Sequence, residues 1–166
     1  YYEEEDEEIA LQMEDCPYFS AMSNYYILNQ EDREFDEAEF FDGEKHIRVE
    51  GKLWKKYYHV KDENKTASDL QIVRNYENAL KAKNGKIIYS GICEGENCGE
   101  LYDNRVMTGM ISNGTNDIWV QVWPYNSGSE YELRVIEAQP MVQEVTANVM
   151  FNELEKTGFI TLYINF

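Results

Sequence analysis

Residues 117–125 read Asp-Ile-Trp-Val-Gln-Val-Trp-Pro-Tyr, two sets of side chains in strict alternation. A β-strand turns successive side chains to opposite faces. Ile118, Val120 and Val122 therefore share one side, and Trp119, Gln121, Trp123 and Tyr125 the other. A turn at Asn126-Ser127-Gly128 leads into a second strand over residues 131–136, which Pro140 closes. Upstream, residues 34–41 read as a strand ending at Asp42-Gly43. Residues 45–49 and 53–60 read as one or two longer strands around Gly51. Residues 86–90 form a short strand and residues 105–111 another, followed by the hairpin signal Asn113-Gly114. Residues 16–29, rich in Pro, Tyr, Ser and Asn, read as an irregular lead-in.

Between the strands the period changes to that of a helix. Leu70, Val73, Tyr76 or Glu77, and Leu80 fall on one face, with Ile72, Tyr76 and Ala79 alongside. Ser68 is placed to cap the first turn, since its hydroxyl can accept from a free amide there. Lys81 and Lys83 suit the negative end of the helix dipole. Asn84-Gly85 stops the helix, with Gly85 expected to enter the left-handed region. A second helix is expected over residues 143–156, stopped at Gly158, with a last strand at 159–165.

This order implies an α+β fold: an antiparallel-dominated sheet with two helices on one face. It also contains an echo, in which Tyr76, Leu80, Gly85 and Tyr89 recur as Phe151, Leu154, Gly158 and Tyr163. A duplicated strand-strand-helix-strand unit and chance composition both account for that echo. Residues 1–15 read as an acidic leader or tether, because Glu3 to Glu8 are six consecutive acids that repel one another. Residues 16–166 read as one domain, a length that fits a single core. The chain opens Tyr1-Tyr2 without Met, so an upstream segment is expected to have been removed.

The charge balance narrows the partners. With 32 acids against 15 Lys and Arg, the formal net charge is −17. Nucleic acid is excluded as a partner, because phosphate backbones reward clustered cations and repel an acidic surface. Anionic lipid surfaces are disfavoured on the same ground. No apolar run approaches the roughly 18–20 residues that cross a bilayer as a helix. Thirteen Tyr, seven Phe and three Trp supply the burial that a folded domain needs.

Candidate chemistry is sparse. Cys93 and Cys98 lie in the turn-forming segment Ile-Cys-Glu-Gly-Glu-Asn-Cys-Gly, a spacing that suits a short-loop disulfide in an oxidising compartment. Free thiols and zinc are the rivals, but zinc wants about four Cys or His ligands. His46 and His59 show no ligand spacing, so no metal or other cofactor is expected, and Cys16 is left over. Both histidines read as strand residues and not as catalytic bases. The sequence contains no Gly-x-Ser-x-Gly elbow, phosphate-binding Gly loop or His-Glu-x-x-His. The acids at Glu31, Asp32, Glu34, Asp36, Glu37 and Glu39 read as a solvated edge, not an EF-hand. The sequons at Asn64 and Asn113 leave a eukaryotic secreted origin open. Trp119, Trp123 and Tyr125 are the candidate binding face, since aromatics on a sheet suit a sugar or a protein partner. The competing reading is that this face is a second core.

With these residues in place, a resemblance emerges. The helix Ser-Asp-Leu-Gln-Ile-Val-Arg-Asn-Tyr-Glu-Asn-Ala-Leu-Lys at residues 68–81 resembles that of an envelope domain found ahead of OmpA-like peptidoglycan-binding domains. The Gly and apolar strand after it, Cys98-Gly99, the strands around Trp119 and Val135, and Ala138-Gln139-Pro140-Met141 are similar too. Leu154, Gly158 and residues 159–166 resemble the approach to the OmpA-like domain's first strand. The resemblance implies the periplasm or outer membrane of a Gram-negative bacterium, and envelope proteins or peptidoglycan-associated components as partners. It implies no reaction, and the murein-contacting residues of such relatives lie past the position of Phe166. The expectation is therefore a non-catalytic envelope module: a spacer, docking or protein-interaction domain. A stand-alone periplasmic glycan- or peptide-binding protein using the aromatic face is the alternative.

Overall fold

The computed structural model describes residues 13–147. Their elements are β1 (Tyr25–Phe41), β2 (His46–Val60), α1 (Asp69–Ala82), β3 (Lys86–Ile92), β4 (Arg105–Ser112), β5 (Asp117–Tyr125) and β6 (Glu130–Ala138). The six strands make one sheet in the order β1-β2-β6-β5-β4-β3, with every neighbouring pair antiparallel. An antiparallel sheet was expected.

The long first hairpin explains how an acid-rich run becomes a strand. β1 pairs with β2 from Tyr25 opposite Val60 to Phe41 opposite His46. Most of its acids face cations of β2: Asp32 lies 2.8 Å from Lys56, Glu31 3.6 Å from Lys55 and Glu34 3.9 Å from Lys52. Arg48 reaches Glu37 at 3.7 Å and Glu39 at 3.3 Å. Each exposed pair contributes little, but together they remove the repulsion that would keep the run unpaired. β1 begins at Tyr25, not Glu34, so the irregular lead-in is shorter than expected. Tyr25 is buried and its hydroxyl donates to the Gly128 carbonyl at 2.6 Å, which anchors the strand's start.

The helix begins as its sequence dictates, with Ser68 Oγ accepting from the Gln71 amide at 3.1 Å. Ile72, Val73, Tyr76, Glu77 and Leu80 form its buried face, whereas Leu70 is exposed. Its end differs from expectation. Asn84 adopts the left-handed conformation at φ 59°, and the Gly85 amide returns to the Leu80 carbonyl at 2.9 Å. Beneath the helix, a Cβ on Gly109 would stand 2.2 Å from Leu80 Cδ2, so glycine lets α1 settle on β4.

The second expected helix is corrected in its first turn. Residues 143–147 carry no helix, and α1 is the only α-helix among the described residues. Val142, Val145 and Thr146 are β-branched, a poor start for a helix, and Val142 and Val145 are exposed. The rest of that helix, the strand at 159–165 and the second half of the proposed duplication lie outside the described residues.

Each face of the sheet carries a core. On one, α1 and residues 16–25 cover Tyr58, Val120, Val122, Tyr131, Leu133 and Val135. On the other, the far end of the β1–β2 hairpin folds back over the sheet. Ala38, Phe40, Leu53 and Ile136 cluster there with Trp119. β2 pairs with β6 only from Gly51 to His59, so residues 46–50 run past the end of that pairing. At the bend a Cβ on Gly51 would lie 2.0 Å from the Glu137 carbonyl oxygen. Only glycine permits that approach, and a register shift between Arg33 and Asp36 bends the partner strand at the same level.

Candidate functional site

The folded-back hairpin and the segment after β3 leave a cleft of about 490 Å³ between them, over the sheet's second face. Glu39, His46, Glu96 and Glu100 wall it, and Gln121 and Arg134 form its floor. The outer wall is the loop closed by a disulfide between Cys93 and Cys98, whose Cα atoms lie 5.9 Å apart. Both cysteines are buried, packed with Phe41, Leu101 and Val106 and flanked by Trp123. The expected pairing is therefore present, while Cys16 is free and buried, its thiol donating to the Phe19 carbonyl. Burial pushes that thiol's pKa up, so it is held as an inert core group.

The disulfide loop is clamped to the hairpin tip. His46 Nε2 lies 2.7 Å from the Asn97 carbonyl, which can only accept, so Nε2 carries the proton. In return Asn97 Nδ2 donates to the Glu44 carbonyl at 3.0 Å. This uses His46 as a strut. The other histidine, His59, lies on β2 with Nδ1 against the adjacent Val60 carbonyl.

The floor is a polar layer inside an otherwise apolar face. Gln121 is 1% exposed, and its Oε1 accepts from the Phe41 amide at 2.8 Å and from Thr108 Oγ1 at 3.2 Å. A backbone N–H only donates, so the carboxamide oxygen must face Phe41 and the nitrogen must face away. Nε2 meets no acceptor among the described residues. Arg134 is 8% exposed; it donates to the Glu39 carbonyl at 2.7 Å and to Glu132 Oε2 at 2.9 Å. Glu132 is also buried and accepts from Trp123 Nε1 at 3.0 Å. The pairing neutralises the Arg134 charge where leaving it alone would be costly. Arg134 Nε has no partner among the described residues.

The sequence-derived aromatic face sits beside this cleft and not at its floor. Trp119 and Trp123 are half-buried: Trp119 packs on Phe40 at 5.7 Å between ring centroids, and Trp123 lies against the disulfide cluster. Tyr125, also half-buried, meets Trp123 at 5.0 Å. These contacts describe packing under the hairpin tip, whereas residues 16–25 lie on the other face. The cleft residues that sequence reading did not single out are Gln121 and Arg134. Their signal was present, as two polar positions opposite each other inside apolar strands.

Fold and cleft together define a class: an antiparallel α+β domain with a disulfide-walled polar cleft on one sheet face. No protein-family model matches the chain, and no curated protein matches it. Among the described residues no helix is long and apolar enough to cross a membrane, and no group of three or more Cys, His or acidic residues could hold a metal.

Proposed function

We propose that this domain is a non-catalytic module of the cell envelope, working outside the cytoplasm as a docking or protein-interaction domain in association with an OmpA-like protein. The observation that carries the reading is the cleft whose wall is a disulfide-closed loop. Such a wall keeps its shape where thiols are oxidised and loses its closure where they are kept reduced. The cleft's histidine is engaged as a strut and its buried cation is paired, an arrangement suited to holding a partner more than to turning one over. The excess of acids supports a partner that is neutral or basic at the point of contact.

The reading is tested in the parent organism, with the full-length gene product. Recovery in the periplasmic or outer-membrane fraction is expected, with Cys93 and Cys98 resistant to alkylation under denaturing conditions until a reductant is added. Cytosolic recovery with all three thiols reactive under those conditions overturns it.

A further inference from the structure

We propose that the cleft binds an α-ammonium group next to a neutral carbonyl, the chemistry of a peptide N-terminus. The inference rests on the cleft being a contact site, as in the function proposed above, and adds what it contacts. Three observations select the ligand.

The first is the buried donor at the floor. Gln121 is nearly inaccessible, yet its carboxamide nitrogen borders the cleft with no acceptor among the described residues. Solvent in the cleft is what can serve that N–H, so a ligand that displaces the solvent must bring an oxygen.

The second is that the oxygens nearest that donor are already engaged. Gln121 Oε1 already serves Phe41 and Thr108, and the Glu132 carboxylate serves Arg134 and Trp123. A hydroxyl placed at the floor would bring a hydrogen that these engaged oxygens do not serve. A carbonyl brings none.

The third is charge. Arg134 is compensated by Glu132 at 2.9 Å and by Glu100 at 3.8 Å, so the floor offers donors without net positive charge. Glu39, Glu96 and Glu100 stand at the walls, with Glu39 about half exposed and Glu100 more so. This field disfavours a carboxylate and favours a cation, and an ammonium supplies donors for the wall carboxylates. The ligand is therefore a cation whose inner atom is a neutral carbonyl oxygen.

The test is titration calorimetry on the oxidised 166-residue chain with three probes: alanine amide, free alanine and N-acetylalanine amide. Alanine amide is expected to bind, free alanine more weakly because its carboxylate meets the acidic walls, and the acetylated probe least because it has no ammonium. In amide-resolved NMR the Gln121 side-chain resonances should move with alanine amide. Glu96→Gln, at an exposed position with no ion pair among the described residues, should weaken alanine amide about two- to five-fold, as for one exposed charge pair. Equal binding of all three probes, tighter binding of free alanine, or no binding of alanine amide to the folded oxidised protein each overturns the proposal. None of these outcomes touches the compartment, which fractionation tests separately.

Discussion

The Phe41 amide donates to Gln121 Oε1 at 2.8 Å, joining the last residue of β1 to the middle of β5 across a sheet in which those strands are not neighbours. This bond, with the Arg134 contact to the Glu39 carbonyl, pins the hairpin tip onto the second face. It also turns the Gln121 nitrogen toward the cleft.

Removing the Gln121 acceptor should therefore cost stability as well as any binding. In Gln121→Leu the buried Phe41 N–H loses its partner, and a destabilisation of about 1–3 kcal/mol is expected. Urea melts of the variant and the parent check it, and an unchanged midpoint would show that the hairpin tip is held by other means.

The two tryptophans of β5 should behave as packing residues. Trp119→Ala removes the partner of Phe40, and Trp123→Ala also leaves the buried Glu132 without its indole donor. Being half-buried, each should cost toward the lower end of the ~3–5 kcal/mol typical of buried aromatics. Denaturant melts that leave both variants near parental stability would restore the aromatic face as a binding surface.

Reduction of the Cys93–Cys98 bond should open one wall of the cleft without unfolding the domain. A loop this short contributes about 2 kcal/mol through chain entropy. Hydrogen exchange should quicken first around Cys93, Asn97 and the hairpin tip at Glu44, which the loop clamps. Uniform loss of protection through α1 as well would contradict a local role.

Gly51→Ala places a methyl group against the Glu137 carbonyl and cannot be accommodated without moving β2 or β6. A loss of about 1–3 kcal/mol is expected, as for other overpacked sites. Disorder of the hairpin tip should accompany it, visible as new exchange at residues 38–50. A variant as stable as the parent would show that the bend tolerates a side chain.

Stability should fall on the alkaline side through the tyrosines. Burial, then the hydrogen bond to Asp15, pushes the Tyr58 hydroxyl's pKa far up, and burial raises Tyr76 and Tyr131 as well. Burial first, with Glu132 and Glu137 adding to it, pushes Tyr57 and Tyr18 up to about 12. For an acid raised on folding, the unfolded chain loses protons first. The stabilisation is then complete below the unfolded value of about 10 and drains away as pH climbs past it. Tyrosinate absorbance should rise in two steps: exposed rings near the ordinary value, and buried rings only as the fold gives way. A single step at the ordinary value would contradict these buried positions.

Much of this fold was legible in single residues. Ser68 capped the helix as its hydroxyl predicts, and alternation put Ile118, Val120 and Val122 together on one side of β5, the side that α1 covers. What periodicity could not convey was long-range compensation. The acids of β1 look unpaired until Arg48, Lys52, Lys55 and Lys56 stand opposite them. The cleft was hidden for a related reason. Gln121 and Arg134 are legible as polar intrusions, but the hairpin that folds over them depends on a bend at Gly51 and contacts some 80 residues away.

The position of β6 has a temporal consequence. It is the last of the described strands in the chain, yet it lies between β2 and β5, and no other described strand joins the two sides of the sheet. Before residues 130–138 are available, the chain holds two separate ribbons, β1–β2 and β3–β4–β5, each with a bare backbone rail along the edge β6 will fill. Closing such distant pairings is slow relative to local hairpins. A nascent chain would thus spend its synthesis as two leaves without a spine. Deleting residues 130–138 should leave two adhesive ribbons on one chain, not a smaller sheet.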